Sequence, residues 1–369
     1  MKVPYLDLGK QFDDPELLRR IGRVLASGQF ILGPGVESFE ERFADLCRVP
    51  FALGVNSGTD ALFLVLKALG VGPGHEVITV SNSFVATAGA IAATGARPVF
   101  VDVGPDYNMD PEKIGPAVTH RTRAIVPVHL TGAMANMDAI CREAASRGLF
   151  VVEDAAQAAG ASWDGRPAGS WGDAGCFSLH PLKNLNAAGD GGMITTSRPE
   201  LVEKIRKLRN HGLVNRDEVE FFGYNSRLDA LQAVIADRRL DLLPEITRKR
   251  RENAALYDRL LSGLLPQVIL PPRNPRAHAV FHTYVVRVRE RDRLLPALAD
   301  AGVEARVHYP IPIHFQLPAR EMGYGPGDLP ETERQTLEIV TLPVHQDLSE
   351  EQIIHVCQTI RSFYGGMKP

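Results

Sequence analysis

Between Phe51 and Glu153 short apolar runs alternate with segments of helical periodicity, and no other feature of this 369-residue chain narrows its fold as far. Phe51–Val55 precedes a helical pattern over 61–69, with apolar residues at 62, 65, 66 and 69. Glu76–Val80 precedes 84–93, and 98–101 precedes a short acidic helix start near Pro111. Residues 123–128 precede Met137–Ser146, and the run 150–153 follows. Strands alternating with helices predict an α/β fold with a mainly parallel central sheet covered on both faces. Ligands of such sheets bind beyond the carboxyl ends of the strands. Asn56-Ser-Gly-Thr59, Ser81-Asn-Ser-Phe84 and Asp154 all fall at such ends. They predict one site assembled from distant parts of the chain.

After residue 192 the pattern changes. Long amphipathic helices are expected over 200–209, 227–240 and 246–264, followed by a proline-rich surface connection over 266–276. Runs at 283–288, 294–301, 305–308 and 351–363 then suggest a smaller α+β unit. The length suits two domains. The expected division is a large domain over 1–245 and a small C-terminal domain over 246–369.

The chain carries 41 basic and 44 acidic side chains, for a net charge of −3, which points away from nucleic acid and anionic membrane surfaces. Its one dense basic run, Arg248-Lys-Arg-Arg251, reads as a solvated helix face. Cys47, Cys141, Cys176 and Cys357 are far apart and form no C-x-x-C pair, so neither a disulfide framework nor a zinc site is expected. The first residues lack an apolar signal core. The longest uncharged small-apolar stretch, 84–96, falls short of the roughly 20 residues that cross a bilayer. A cytoplasmic location is expected.

The chemistry gathers around Ser178-Leu-His-Pro-Leu-Lys183-Asn-Leu-Asn-Ala-Ala-Gly-Asp-Gly-Gly192. It sets one lysine between a β-type run and a glycine-rich turn. Twenty-nine positions upstream, the run Val151-Val-Glu-Asp154 ends in a carboxylate, with Gln157 just beyond. A lysine amine condenses with an aldehyde, and a buried carboxylate keeps a pyridinium nitrogen protonated. A pyridoxal phosphate (PLP) site needs both. Read alone, Lys183 is a solvated loop lysine and Asp154 a helix cap.

Ser57-Gly58-Thr59 opens a helix after a strand, so its backbone N–H groups offer a seat for phosphate at the positive end of the helix dipole. Plain N-capping by Ser57 or Thr59 is the competing reading. Phe84 either lies on a cofactor ring or packs in the core. Ser178 either offers a hydroxyl to phosphate or merely ends its strand. His180 has no assigned role, and Gly189-Asp-Gly-Gly192 reads as the flexible return into the next strand.

Several blocks together carry a resemblance. They include Gly28-Gln-Phe-Ile-Leu-Gly-Pro-Gly35, Asn56-Ser-Gly-Thr-Asp-Ala-Leu62, Ser83-Phe-Val-Ala-Thr-Ala88, Val128-His-Leu-Thr-Gly132 and Glu153-Asp-Ala-Ala-Gln-Ala158. Further along come His180-Pro-Leu-Lys-Asn-Leu185, Gly189-Asp-Gly-Gly192, Gly223-Tyr-Asn-Ser-Arg-Leu-Asp229, His308-Tyr-Pro-Ile-Pro312 and Leu342-Pro-Val-His345. Over nearly its whole length the chain resembles the DegT/StrS nucleotide-sugar aminotransferases, which are fold-type I PLP enzymes like aspartate aminotransferase.

The resemblance implies Lys183 as the Schiff-base lysine, Asp154 as the partner of the pyridinium nitrogen and Gln157 as the residue facing the ring's 3-hydroxyl. It implies phosphate contacts from Gly58, Thr59 and Ser178, and stacking from Phe84. Asn225 matches an asparagine that reaches a neighbouring subunit's phosphate, which implies a homodimer with shared active sites. Arg227, His308 and Tyr309 fall where relatives handle the nucleotide sugar. No metal is implied. One departure is Leu182, where many relatives carry a smaller residue.

The expected activity is transfer of an amino group from L-glutamate to a keto nucleotide sugar, in amino-sugar and polysaccharide biosynthesis. A 3-keto sugar is favoured over a 4-keto one, because Lys-Asn-Leu followed by Gly-Asp-Gly-Gly resembles relatives acting at that carbon. Competing activities are amination of a cyclitol ketone, a PLP-dependent dehydration, and a non-catalytic regulator on the same scaffold. A Rossmann-type dehydrogenase is opposed by the lack of G-x-G-x-x-G after an early strand.

Overall fold

The computed structural model describes residues 1–365. Seven strands form the central sheet: β1 (Phe51–Val55), β2 (Glu76–Val80), β3 (Arg97–Val101), β4 (Thr122–Ile125), β5 (Phe150–Asp154), β6 (Ala174–Ser178) and β7 (Gly192–Thr196). Their spatial order is β1-β7-β6-β5-β4-β2-β3. From β3 to β6 every neighbouring pair is parallel, and β7 runs antiparallel to both β6 and β1. This is the mainly parallel α/β sheet that the alternating runs predict. Because β7 is reversed, its first residue lies at the edge where β6 ends. The loop joining them, which carries Lys183, therefore begins and ends on one side of the sheet.

Residues of a strand alternate between its two faces, and each face has its own core. Ile78, Val80, Ile125 and Val151 join the cluster that the Pro34–Cys47 helix covers with Val36, Phe39 and Phe43. Val77, Ala124, Val126 and Val152 join the cluster on the other face, filled by Leu62, Leu64, Val65 and Leu66 of the Gly58–Ala68 helix. With both faces covered, β2 is buried at every position, Glu76 and Thr79 included.

The helices expected over 227–240 and 246–264 are one 32-residue helix, Ala230–Leu261, with Pro244 inside it. A proline removes one backbone donor and usually ends or bends a helix. Here apolar residues bury on both sides of it, Leu240 and Leu243 before and Ile246 after, and the helix runs on. Residue 245 lies in its middle. At roughly 1.5 Å per residue the helix is about 48 Å long. Its first half packs on the central sheet through Ala233, Ala236 and Leu240. Its second half sends Ala254, Tyr257 and Leu261 into a third core.

That third core lies on a small antiparallel sheet of β8 (Val268–Ile269), β9 (Tyr284–Val288) and β10 (Ile339–Leu342), in the order β8-β9-β10. The Arg291–Asp300 and Glu350–Gly365 helices complete it. Val3 from the other end of the chain is fully buried there, bonded to the backbone of Gly302 and Glu304. The run over 305–308 contributes one bridge, Arg306 with Thr341, before the chain turns toward the central sheet, where the Ile313 N–H donates to the Ser81 carbonyl. Among the described residues no helix is long and apolar enough to cross a membrane.

Candidate active site

A cavity of about 300 Å³ opens beyond the carboxyl ends of the central strands. Nine of the residues singled out in the sequence line it: Gly58, Thr59, Phe84, Asp154, Gln157, Ser178, Lys183, His308 and Tyr309. The expected convergence on one site is therefore what the fold produces. Asn225 and Arg227 lie outside the cavity.

One wall is the start of the Gly58–Ala68 helix. Ser57 caps it, its hydroxyl accepting from the Asp60 N–H at 3.1 Å. The capping reading of this turn therefore holds for Ser57, while Gly58 and Thr59 face the cavity. Glycine at 58 is a matter of space. A Cβ there would stand 2.8 Å from Ser178 Cβ and 3.1 Å from its Cα. The turn thus approaches the end of β6 backbone to side chain. Gly192, read as part of a flexible return, has a similar job: its Cβ would lie 2.3 Å from the Ser57 carbonyl oxygen. Gly58→Ala should push the two segments apart, destabilise the fold by about 1–3 kcal/mol and weaken phosphate binding at this turn. Thermal denaturation and titration with inorganic phosphate check both effects.

Asp154 ends β5 facing the cavity, 5% exposed. Its Oδ2 accepts from the Thr87 hydroxyl at 2.7 Å and its Oδ1 from the Ala156 N–H at 3.2 Å. Thr87 is in turn linked to the Ser83 hydroxyl at 2.9 Å. Burial pushes the Asp154 carboxyl above the ordinary carboxylate range, against the pull of those two donors and of the nearby lysine charge. The next residue back, Glu153, points to the other face and is fully buried. It accepts from the N–H groups of Gly169, Trp171 and Gly172 and pairs with His129 at 3.0 Å. That network fixes the strand end on which Asp154 stands.

Lys183 enters from the β6–β7 loop, where its N–H donates to the His180 carbonyl at 2.9 Å. Burial pulls its ammonium down to about 8, with the opposite charge of Asp154 resisting. An amine in that range is available as a free base near neutral pH far more often than an ordinary lysine. His180, unassigned from the sequence, lies on the cavity rim, its Nδ1 accepting from the Leu182 N–H at 3.3 Å.

Phe84 is 54% exposed, which removes the core alternative. Its ring faces Tyr309 across 5.9 Å, tilted by 42°. Gln157 is oriented through its Oε1, which accepts from the Thr131 N–H at 2.9 Å. His308 bonds the Thr341 hydroxyl at 3.1 Å, and burial, helped by the charges of Lys183 and Arg306, pulls it down to about 4. It is neutral at physiological pH. Burial also raises the Tyr309 phenol well above its ordinary value, so that it is a hydroxyl donor there.

Arg227 instead donates to Asn210 Oδ1 at 3.0 Å, and its Nε is buried without a partner. Asn225 is exposed on the segment that pairs with Asn210.

Cavity residues to which the sequence reading gave no role include Tyr5, Thr87, Arg250, His282 and His345. For Arg250 it was in error, since the basic run was taken as a solvated face. Arg248 does fit that description, bonded in the open to Glu245 and Glu252. Arg250 is only 2% exposed. The helical period explains the difference. Leu243, Ile246, Arg250, Ala254, Tyr257 and Leu261 recur at three- and four-residue steps along one face, and that apolar stripe runs through Arg250.

The residues present fit PLP. Asp154 would supply a buried acid for a ring nitrogen, Lys183 an amine, and Phe84 an exposed aromatic face. The Ser57–Thr59 turn offers N–H groups at a helix start, with the Ser178 hydroxyl beside it. Among the described residues no group of three or more His, Cys, Asp or Glu is placed to hold a metal ion, and all four cysteines are free.

Comparison with known proteins agrees. The DegT/DnrJ/EryC1/StrS aminotransferase family model matches residues 11–361. A pleiotropic regulatory protein of Geobacillus stearothermophilus is 44% identical over 369 residues, covering 99% of each chain. The dTDP-3-amino-3,4,6-trideoxy-alpha-D-glucose transaminase of Streptomyces venezuelae is 42% identical, covering 98% of this chain and 96% of its own. Among solved structures, S. venezuelae DesV superposes with a TM-score of 0.97 at 41% identity, over 100% of both chains.

Proposed function

The chain belongs to the DegT/DnrJ/EryC1/StrS aminotransferase family, and from that premise we propose that it moves an amino group from L-glutamate to the 3-keto carbon of a nucleotide-linked sugar, in amino-sugar biosynthesis. It is a PLP-dependent aminotransferase. The observation that carries the reading is the meeting of the Lys183 amine and the buried Asp154 carboxyl on one cavity, beside the Gly58–Thr59 turn. Support for the carbon comes from relatives. Besides the Streptomyces transaminase, a protein of Acidithiobacillus ferrooxidans at 42% identity is a UDP-N-acetyl-3-dehydro-alpha-D-glucosamine 3-aminotransferase by name.

Bound PLP supplies an electron sink for the charge left when a carbon beside the amine loses its proton. The protein supplies position and proton traffic. Lys183 Nζ takes the proton from the α-carbon of glutamate and returns it one position along, acting as base and then acid. Its lowered basicity suits both roles. When the keto sugar follows, the same amine carries a proton in the opposite sense. Asp154, held by Thr87 and Ala156, would keep a ring nitrogen protonated. Gln157 would meet the ring's 3-hydroxyl, and Gly58, Thr59 and Ser178 would hold the phosphate. Phe84 would cover the ring face, and the Tyr309 hydroxyl and neutral His308 would meet the sugar.

The test is to incubate the enzyme and glutamate with matched 3-keto and 4-keto dTDP- and UDP-sugars and to locate the new amine by NMR. Amination at C3 is expected. Amination of the 4-keto compounds alone would refute the choice of carbon and leave the aminotransferase untouched.

The regulatory alternative has one observation behind it, the name of the Geobacillus relative. Lys183 and Asp154 oppose it, because a purely structural scaffold has no use for a buried amine and acid facing a cavity. Visible absorbance that bleaches when glutamate is added separates the two.

The same reading makes the active unit a homodimer in which Asn225 and Arg227 serve the neighbour's cavity. Both lie outside their own cavity, and Phe222 beside them is 98% exposed, an apolar surface that suits burial against a partner. Mixing inactive Lys183→Ala subunits with inactive Asn225→Ala subunits should restore activity in hybrid dimers. No recovery despite proven subunit exchange would count against shared sites. A cytoplasmic enzyme, with a large unit over 1–245 and a small one over 246–369, belongs to the same proposal.

A further inference from the structure

We infer that His314, bonded to Ser81 just beyond β2, is a positioning residue that fixes Tyr309 and His308 on the cavity and so governs capture of the sugar. This rests on the reading that those two side chains meet the sugar. His314 itself reaches no ligand.

His314 and Ser81 are both fully buried, and neither lines the cavity. The Ser81 carbonyl accepts from the Ile313 N–H at 2.8 Å, and the Ser81 hydroxyl accepts from the His314 N–H at 2.9 Å. The hydroxyl also stands 2.6 Å from His314 Nδ1, and Nε2 lies 3.3 Å from Glu333 Oε1. A carboxylate only accepts, so Nε2 carries the ring proton and Ser81 donates its one proton to Nδ1. Burial pulls the imidazole below its ordinary value, against the hydrogen bond from Glu333 and the charges of Glu333, Asp328 and Asp102. The ring is therefore neutral at physiological pH, and the bond to Ser81 is kept. Serine, histidine and glutamate in line are the parts of a hydrolase triad. A serine with no exposed surface and its proton already committed attacks nothing, however. What remains is a fastening.

The chain that it fastens has little else to hold it. Among the described residues 307–311 make no backbone–backbone hydrogen bond, so this run hangs between the Arg306–Thr341 bridge and Ser81. Pro310-Ile-Pro312 joins Tyr309 to the anchor. Each proline fixes its own φ and restricts the residue before it, which stiffens Tyr309 and Ile311 as well. A shift at 313–314 is therefore carried to Tyr309 and not absorbed on the way. Beyond the anchor, Ile313 packs with Ala319 and Leu329 against Ala88 and Phe100, and the Phe100 N–H donates to the Tyr324 hydroxyl at 2.9 Å. Ser81 also stands three residues before Phe84, whose ring faces Tyr309. One serine thus ties two walls of the cavity, Phe84 through the chain and Tyr309 through His314. The bonds that hold Asp154 and the Lys183 loop are separate ones.

The experiment uses the PLP-loaded enzyme and measures its two half-reactions apart. The first is bleaching of the visible absorbance by L-glutamate; the second is its return with matched 3-keto and 4-keto dTDP- and UDP-sugars. Ser81→Ala and His314→Leu should each raise KM for the sugar by about 10-fold or more and leave the glutamate half-reaction within about threefold. His314→Asn, whose amide oxygen can accept where Nδ1 does, should recover most of the loss. The double variant should be no worse than the worse single one, because both remove the same bond. Hydrogen exchange gives a readout free of substrate: in Ser81→Ala the amides of 313–316 should exchange faster, and those of 150–154 at the wild-type rate. Equal slowing of both half-reactions, or an unchanged KM for the sugar, makes the pair structural and overturns the inference. If His314→Leu does not fold, Ser81→Ala and His314→Asn decide by the same criteria. A wild type that bleaches with glutamate yet is restored by no nucleotide sugar fails the substrate reading, and this inference with it.

Discussion

Lys183→Ala should abolish turnover, by at least about 10⁴-fold, in a protein that still folds and still holds PLP. The side chain lines the cavity, and among the described residues its amine has no hydrogen-bond or ion-pair partner. What disappears is the amine to which the proposed function gives the proton transfer between two carbons. Borohydride reduction of the wild type should fix PLP covalently to the peptide carrying Lys183. Label on Lys67 or Lys207 instead would overturn the assignment. Lys207 is tied to Glu203 and Glu220 on the surface, which raises its basicity and makes it a poor competitor.

Asp154→Asn should be nearly as damaging, with a rate loss on the order of 10³-fold and PLP retained. The amide keeps the shape; its oxygen can still accept from the Ala156 N–H, and its NH2 can donate to the Thr87 hydroxyl oxygen in place of the bond the carboxylate accepted there. It cannot hold a proton on the ring nitrogen. Burial alone raises the Asp154 carboxyl, which favours its neutral form. A cationic ring nitrogen against it favours the ionised form, so cofactor protonation and Asp154 ionisation stabilise one another. In the variant that coupling is gone, and the absorbance of the bound cofactor should become pH-dependent at lower pH than in the wild type. Near-normal activity would show that Asp154 only ends its strand.

The central sheet and most of the cavity were legible because they follow from local patterns. Alternating runs fix a parallel sheet, parallel sheets put their ligands at one edge, and Gly58, Asp154 and Ser178 fall at strand ends. Arg250, His282, His345 and Tyr5 were not legible in that way. They arrive from the second half of the chain and from its first residues, through packing that no periodicity announces. Arg250 had a signal, the apolar stripe through 243, 246, 254, 257 and 261, but its basic neighbours drew the reading outward. The long helix was divided at Pro244 because a proline mid-helix is a local conflict, and burial on both sides overrode it. Asn225 and Arg227 lie outside the cavity of their own chain, so the role proposed for them rests on the family resemblance and not on the geometry of one chain.

The contacts at Gly58 and Gly192 have a thermodynamic consequence. Where a missing side chain lets Ser57, Ser178 and the start of β7 touch, none of the three segments can shift without the others. The phosphate end of the cavity is therefore one rigid body before any ligand arrives, and docking an anion there orders no loop. Affinity that a floppy cradle would forfeit to chain entropy is kept as binding free energy. A cofactor phosphate held there would keep its place while the Lys183 amine, on its own loop, takes up and gives back protons.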